Sequence, residues 1–181
     1  MKNVDPYRYQ QQQDKKNKEA VSVASLVKVV AFNPDKMTVD VQPLSKRLDG
    51  GEYHTQPQIL ALPVAATKSG GFVFRPWIKA GDVGLVVYID HDIDSVVASG
   101  QETEPNTERN HSPSDAVFIG GIVTSNAPVS GIPADAAAIA TEDGSIYIAV
   151  TKGGIKIQGD VQITGQVTST GDVQVSGQVS V

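Results

Sequence analysis

The chain has 181 residues, is 40% hydrophobic and 19% charged, and carries a formal net charge of −5, which describes a folded chain of one ordinary domain with an appendage, or two small domains. With 15 Lys and Arg against 20 Asp and Glu and no basic block, it lacks the clustered cations that neutralise phosphates, so no nucleic-acid partner is expected. It contains no cysteine, which excludes disulfides, thiolate metal sites and cysteine nucleophiles.

Residues 1–20, MKNVDPYRYQQQQDKKNKEA, are polar and lack the apolar core of a signal peptide, so synthesis in a cytoplasm is expected. They read as a flexible arm whose only sticky residues are Tyr7 and Tyr9, with ordering on a partner subunit as the functional alternative. Residues 21–122 carry the pattern of strands and turns. VSVASLVKVV is followed by a turn at Asn33-Pro34-Asp35 and then by MTVDVQPL, where Met37, Val39 and Val41 alternate with Thr38, Asp40 and Gln42. This predicts a hairpin. A polar excursion, SKRLDGGEYHTQ, precedes a third strand over Gln58 to Val64. A Gly70-Gly71 loop then leads to FVFRPW, with Trp77 expected in the core or at a trimer interface. Gly81-Asp82 turns into VGLVVYID, the most apolar strand. A charged loop from His91 to about Ser114, with room for a short turn near Asp90 to Val97, precedes a strand from Ala116 to Ile119. About five strands with turns between them predict an OB-like Greek-key barrel. Val39, Val41, Leu85, Val87 and Ile119 are expected in its core, and the His91 to Glu108 loop is expected in solvent.

Residues 123–135, rich in Pro, Ser and Asn, read as a linker. Residues 136–181 are the most informative. From Gly154 onward the odd positions are apolar or small, among them Ile155, Ile157, Val161, Ile163, Val167, Val173, Val175 and Val179, while the even ones are polar. Glycines recur at 159, 165, 171 and 177, and GDVQITGQVTST is followed by GDVQVSGQVSV. One chain of this length would leave an apolar face and two free backbone edges. Winding three copies about a common axis turns the odd positions inward and pairs the edges, so a trimeric intertwined β-helix is expected, with Val179, Ser180 and Val181 at its tip, and an antiparallel meander covering the barrel is the alternative. In SIYIAV the apolar residues Ile146, Ile148 and Val150 are even-numbered, so the turn over Thr151 to Gly154 must shift the register by one.

Chemistry is hard to find. Asp90, Asp92 and Asp94 alternate as at the start of a calcium loop, but the glycine position holds Ser95 and the bidentate position Gln101, leaving a solvated acidic loop as the stronger reading. His54, His91 and His111 have no partner at ligand spacing. Glu102, Glu104 and Glu108 lie in a loop with no visible apolar pocket to raise a carboxyl pKa, so an enzyme is not expected.

PWIKAGDVGLVVYIDHDIDSVVASG, followed by ERNHSPSDAVFIGGI, resembles the N-terminal OB-like domain of the short baseplate central-spike proteins of contractile-tailed phages and tailocins. The matching order is Gly81-Asp82 before an apolar strand, an acidic loop ending in Ser99-Gly100, then Arg109, His111 and Asp115-Ala116 before Gly120-Gly121. The resemblance implies an all-β, non-enzymatic homotrimer in a virion or tailocin baseplate. It would dock on tail hub and tube proteins and pierce the target cell envelope on sheath contraction. Many such needles end in a His-x-His pair that binds iron at the tip. This chain ends Gln178-Val179-Ser180-Val181 with no histidine after His111, so no cofactor is expected, and either a separate tip protein caps the needle or the spike is blunt and short. Two other functions stay open, an OB-type carbohydrate- or nucleic-acid-binding module and, more weakly, a tail-associated cell-wall hydrolase.

Overall fold

A computed structural model describes residues 22–177, together with residues 7, 10 and 11. Most of the expected N-terminal arm and the expected tip residues Val179, Ser180 and Val181 lie outside the described residues. The chain forms two compact units, Met1–Thr124 and Ser125–Val181. It is mostly β, and among the described residues no helix is long and apolar enough to cross a membrane.

Unit 1 is built on a five-stranded sheet of β1 (Ala24–Asn33), β2 (Thr38–Pro43), β5 (Ile59–Pro63), β8 (Val83–Tyr88) and β9 (Ala116–Gly120), in the order β5-β2-β1-β8-β9. The β1–β2 hairpin turns where expected, because the Asn33 side-chain oxygen accepts the amides of Asp35 and Lys36 at 3.1 Å and closes the bend. The sheet curls until its outer strands meet. Val64 bridges Phe118 in parallel, and the Ala65 amide donates to the Phe118 carbonyl at 2.9 Å. Its concave side holds the core, with Val27, Val29, Val39, Val41, Ile59, Leu62, Ile78, Val86, Ala116 and Phe118 all buried.

Val39 and Val41 are core residues as expected, whereas Leu85 and Val87 are only half-buried and Ile119 is 44% exposed. The inward row of β8 is Gly84, Val86 and Tyr88, facing Gly120, Phe118 and Ala116 across the ladder. Because VGLVVY is apolar at nearly every position, its sequence carries no parity signal. The parity is set by Phe118, whose ring lies over Gly84, where a Cβ would sit 2.5 Å from two ring carbons.

Two further hairpins extend from this sheet. The expected polar excursion forms β3 (Arg47–Asp49) paired with β4 (Glu52–His54), and the Gly70-Gly71 loop is the turn joining β6 (Thr67–Ser69) to β7 (Phe72–Phe74). Trp77 is 88% exposed, which excludes it from the core.

A bulge interrupts the β2–β5 ladder at Ala61, whose φ is +56°, and the Asp40 carboxylate holds it by accepting the Ala61 amide at 2.8 Å. A left-handed alanine is strained by about 1 kcal/mol relative to glycine, and Ala61 is exposed, so little burial offsets the strain. Ala61→Gly is therefore expected to raise stability by roughly 0.5 kcal/mol after the added chain entropy is subtracted. A lowered urea midpoint for this variant would contradict that reading.

Unit 2 contains β10 (Ala137–Ala140), β11 (Tyr147–Thr151) and β12 (Gly154–Gln158) as an antiparallel sheet in chain order. Thr151 pairs with Gly154, so Val150 faces Ile155 and Ile148 faces Ile157, which is the even-to-odd shift that the turn requires. Among the described residues from 159 to 177 the single chain forms no strand.

Candidate functional site

The expected axis residues, apart from Val179, which lies outside the described residues, are all exposed. On one face of the unit 2 sheet, Ile139 stands opposite Ile148 and Ile148 opposite Ile157, while Val150 stands opposite Ile155. These five side chains are 51–70% exposed, and beyond the sheet Val161, Ile163, Val167, Val173 and Val175 are also exposed. Among the described residues of unit 2, Ala149 is the only buried hydrophobic residue. Gly159 and Gly165 adopt φ of +116° and +142°, a region closed to most L-residues, so the chain bends at the repeat positions. An exposed apolar row of this length is uncommon on a folded chain.

The β8-to-β9 connection is the electrostatic centre of unit 1, and it is less solvated than its composition predicts. A short helix, Asp94–Ser99, opens it, and the chain then runs through Pro105 and Thr107 back to Asp115. Asp92 and Asp115 are both buried, at 4% and 0% exposure, which corrects the expectation of a wholly solvated loop. Arg109 binds Asp115 with both ends of its guanidinium, Nε to Oδ2 at 2.9 Å and Nη2 to Oδ1 at 3.0 Å. Its Nη2 also lies 3.2 Å from Asp92 and 3.2 Å from Asp94. Oxygens of these three carboxylates lie within 4.8 Å of one another, a donor set that would suit a hard cation. Here the guanidinium supplies the positive charge from within the chain, so the cluster ties the loop to the sheet as a partly buried ion knot. Asp90, the first member of the suspected calcium motif, is outside the cluster and faces His111 at 3.7 Å. Glu102, Glu104 and Glu108 are exposed.

The Asp92 carboxyl is held below its ordinary value, chiefly by the Asp94 amide and then by the Thr107 hydroxyl, with Arg109 adding attraction. In unit 2 the Asp143 carboxyl is lowered to about 2, because Thr141 donates to it, as do the amide and hydroxyl of Ser145. A carboxyl depressed on folding stabilises above its unfolded value, 3.8, and that contribution is lost as pH falls through the folded value. The stability gap between the wild-type chain and Asp92→Asn is thus expected to hold from pH 7 to about pH 5 and to narrow below about pH 4. Urea unfolding at each pH measures it, and a gap constant down to pH 2.5 would exclude the ionised role of Asp92.

At the same end of the sheet, an open cavity of about 370 Å³ is lined by Arg47, Gln56, Gln58, Ile59, Tyr88 and Ser114. Burial raises the pKa of the Tyr88 hydroxyl. The sequence reading missed this cavity, because its walls come from segments far apart in the chain.

A family model described as phage protein Gp138 N-terminal domain matches residues 26–121, which is just over half of the chain and spans nearly all of the five-stranded sheet. The chain belongs to that family and is a phage-related protein. No curated protein matches it.

Proposed function

We propose that this phage-related chain is the structural central spike of a contractile-tail baseplate. In this reading it is a non-enzymatic homotrimer carried in a virion or tailocin particle. The curled sheet of unit 1 is an OB-like Greek-key barrel that closes the tube end on the tail hub and tube proteins. The C-terminal segments wind into a three-chain β-helix that pierces the target envelope when the sheath contracts.

The apolar row from Ile155 to Val175 carries the proposal. Among the described residues it is 56–70% exposed in one chain. Three copies about an axis bury the row and pair every free backbone edge, giving a rod with no edge to peel. Family membership supports the phage setting, and the acidic balance argues against nucleic acid as partner. No cofactor enters the mechanism. In this reading a separate protein can cap the tip.

Antibody labelling of intact particles, paired with a solution mass of the purified chain, tests the proposal. The expected results are label at the distal end of the tail tube and three times the chain mass of 19.1 kDa. A well-folded monomer, or label confined to the capsid, would refute it. The cavity beside Arg47 favours a second reading, an OB-type carbohydrate-binding module. Retention on immobilised envelope glycan that is lost in Arg47→Ala would support that reading over the spike.

A further inference from the structure

The β6–β7 hairpin and the residues after it form a second uncovered apolar patch, in unit 1. Phe72 is 82% exposed, Phe74 54% and Trp77 88%. Phe72 and Phe74 share one face of the ribbon, where their cross-strand partners are Ser69 and Thr67, too small to cover a ring. The patch is also cationic, although the chain as a whole is acidic. From Val64 to Gly81 there are three cations, Lys68, Arg75 and Lys79, and no carboxylate. Exposed aromatic rings flanked by cations are the composition of a protein interface centre.

The strand directions place the patch relative to the acidic loop. β2 runs opposite to β1, β5 opposite to β2, β8 opposite to β1, and β9 opposite to β8. The β5-to-β8 connection, which holds the hairpin, therefore lies at the end of the sheet where β1 finishes. Arg75 Nη2 donates to the Pro34 carbonyl in the β1–β2 turn at 2.8 Å, which anchors it there. The β8-to-β9 connection lies at the opposite end, with Asp90, Glu102, Glu104 and Glu108 exposed. One unit thus presents a cationic aromatic end and an acidic end that cannot meet within the same chain.

We infer that the hairpin of one copy docks on the 90–108 loop of the next, joining the unit 1 sheets head to tail. Contacts of this type use two different patches and close into a ring when the rotation between copies closes. Charge complementarity selects the partner: Lys68 and Arg75 meet the loop glutamates, while Phe72, Phe74 and Trp77 supply the apolar anchor. This adds to the spike reading a contact that does not depend on the needle.

The absence of native cysteine makes cross-linking a clean test. Ser69→Cys and Asn106→Cys, both at exposed positions, are introduced into the full chain, which is treated with a short bismaleimide. The expected product is a covalent ladder up to the native oligomer, seen with both cysteines and with neither alone. Lys68→Glu, which leaves the Arg75 anchor in place, should lower its yield about threefold, and adding Glu102→Lys should restore most of it. Phe72→Ser should lower the yield without changing the circular dichroism spectrum. A native trimer that gives no ladder would overturn this inference and leave the spike reading standing. A ladder that persists in a chain whose needle has been disrupted would support it independently. Charge-dependent sedimentation with anionic phospholipid vesicles, without a ladder, would overturn it and assign the hairpin to a lipid surface.

Discussion

Gly84→Ala is expected to destabilise unit 1 by about 3 kcal/mol, the upper end for overpacking a core by one methyl group. The new Cβ would lie 2.5 Å from two carbons of the Phe118 ring and 2.9 Å from the Ile119 carbonyl oxygen. Neither neighbour can yield cheaply. Phe118 is 1% exposed and wedged in the core, and the Ile119 carbonyl belongs to the strand paired with β8. The backbone of Gly84 is not left-handed, so alanine meets a penalty of space alone. The double variant with Phe118→Leu separates this cause from general disruption. Removing the ring relieves the clash, so the two substitutions should cost at least about 1 kcal/mol less together than the sum of their separate effects. Urea unfolding measures both quantities. A Gly84→Ala midpoint indistinguishable from wild type would mean that Phe118 does not lie over β8.

Val173→Asp is expected to fray the distal C-terminal segment at neutral pH, while Gln174→Asp leaves it intact. In one chain both positions are exposed, so an isolated chain predicts no difference between them. In the proposed three-chain needle, position 173 faces the axis. Three valines then lose about 1.5–3 kcal/mol of burial each, and three carboxylates meet in an apolar channel. Burial and mutual repulsion both raise their pKa, so acid should partly restore the Val173→Asp needle as the groups take up protons. Position 174 points to solvent in the same arrangement and tolerates a charge. Limited proteolysis of the two variants side by side, at pH 7 and pH 5, reads the contrast. Equal resistance at both positions would remove the axis and the needle with it.

The period-two patterns were legible because each strand concerned has one wet face. Met37 to Gln42 alternates in sequence, and Val39 and Val41 are buried as that alternation requires. The register change between Ile148-Val150 and Ile155-Ile157 could be counted along the chain, and the ladder pairs them as counted. The β8 strand has no wet side in its sequence, so its parity could be read only from what packs on it. Arg109 and Asp115 carry no role in the sequence, because they share no local period with Asp92 and Asp94 and meet them only when the loop returns to the sheet. The two small hairpins were read as polar or glycine loops, since three-residue strands are too short to show alternation.

By itself, the sequence determined an all-β chain, most strand positions, the two-residue period of the C-terminal segment and the absence of cysteine chemistry. Each of these is written in neighbouring residues. The tertiary structure decided which face of β8 is buried, that a guanidinium sits among three aspartates, and that a cationic hairpin and an acidic loop occupy opposite ends of one sheet. These depend on distances between residues far apart in the chain. Closing the sheet sets such distances, and no local pattern of side chains encodes them.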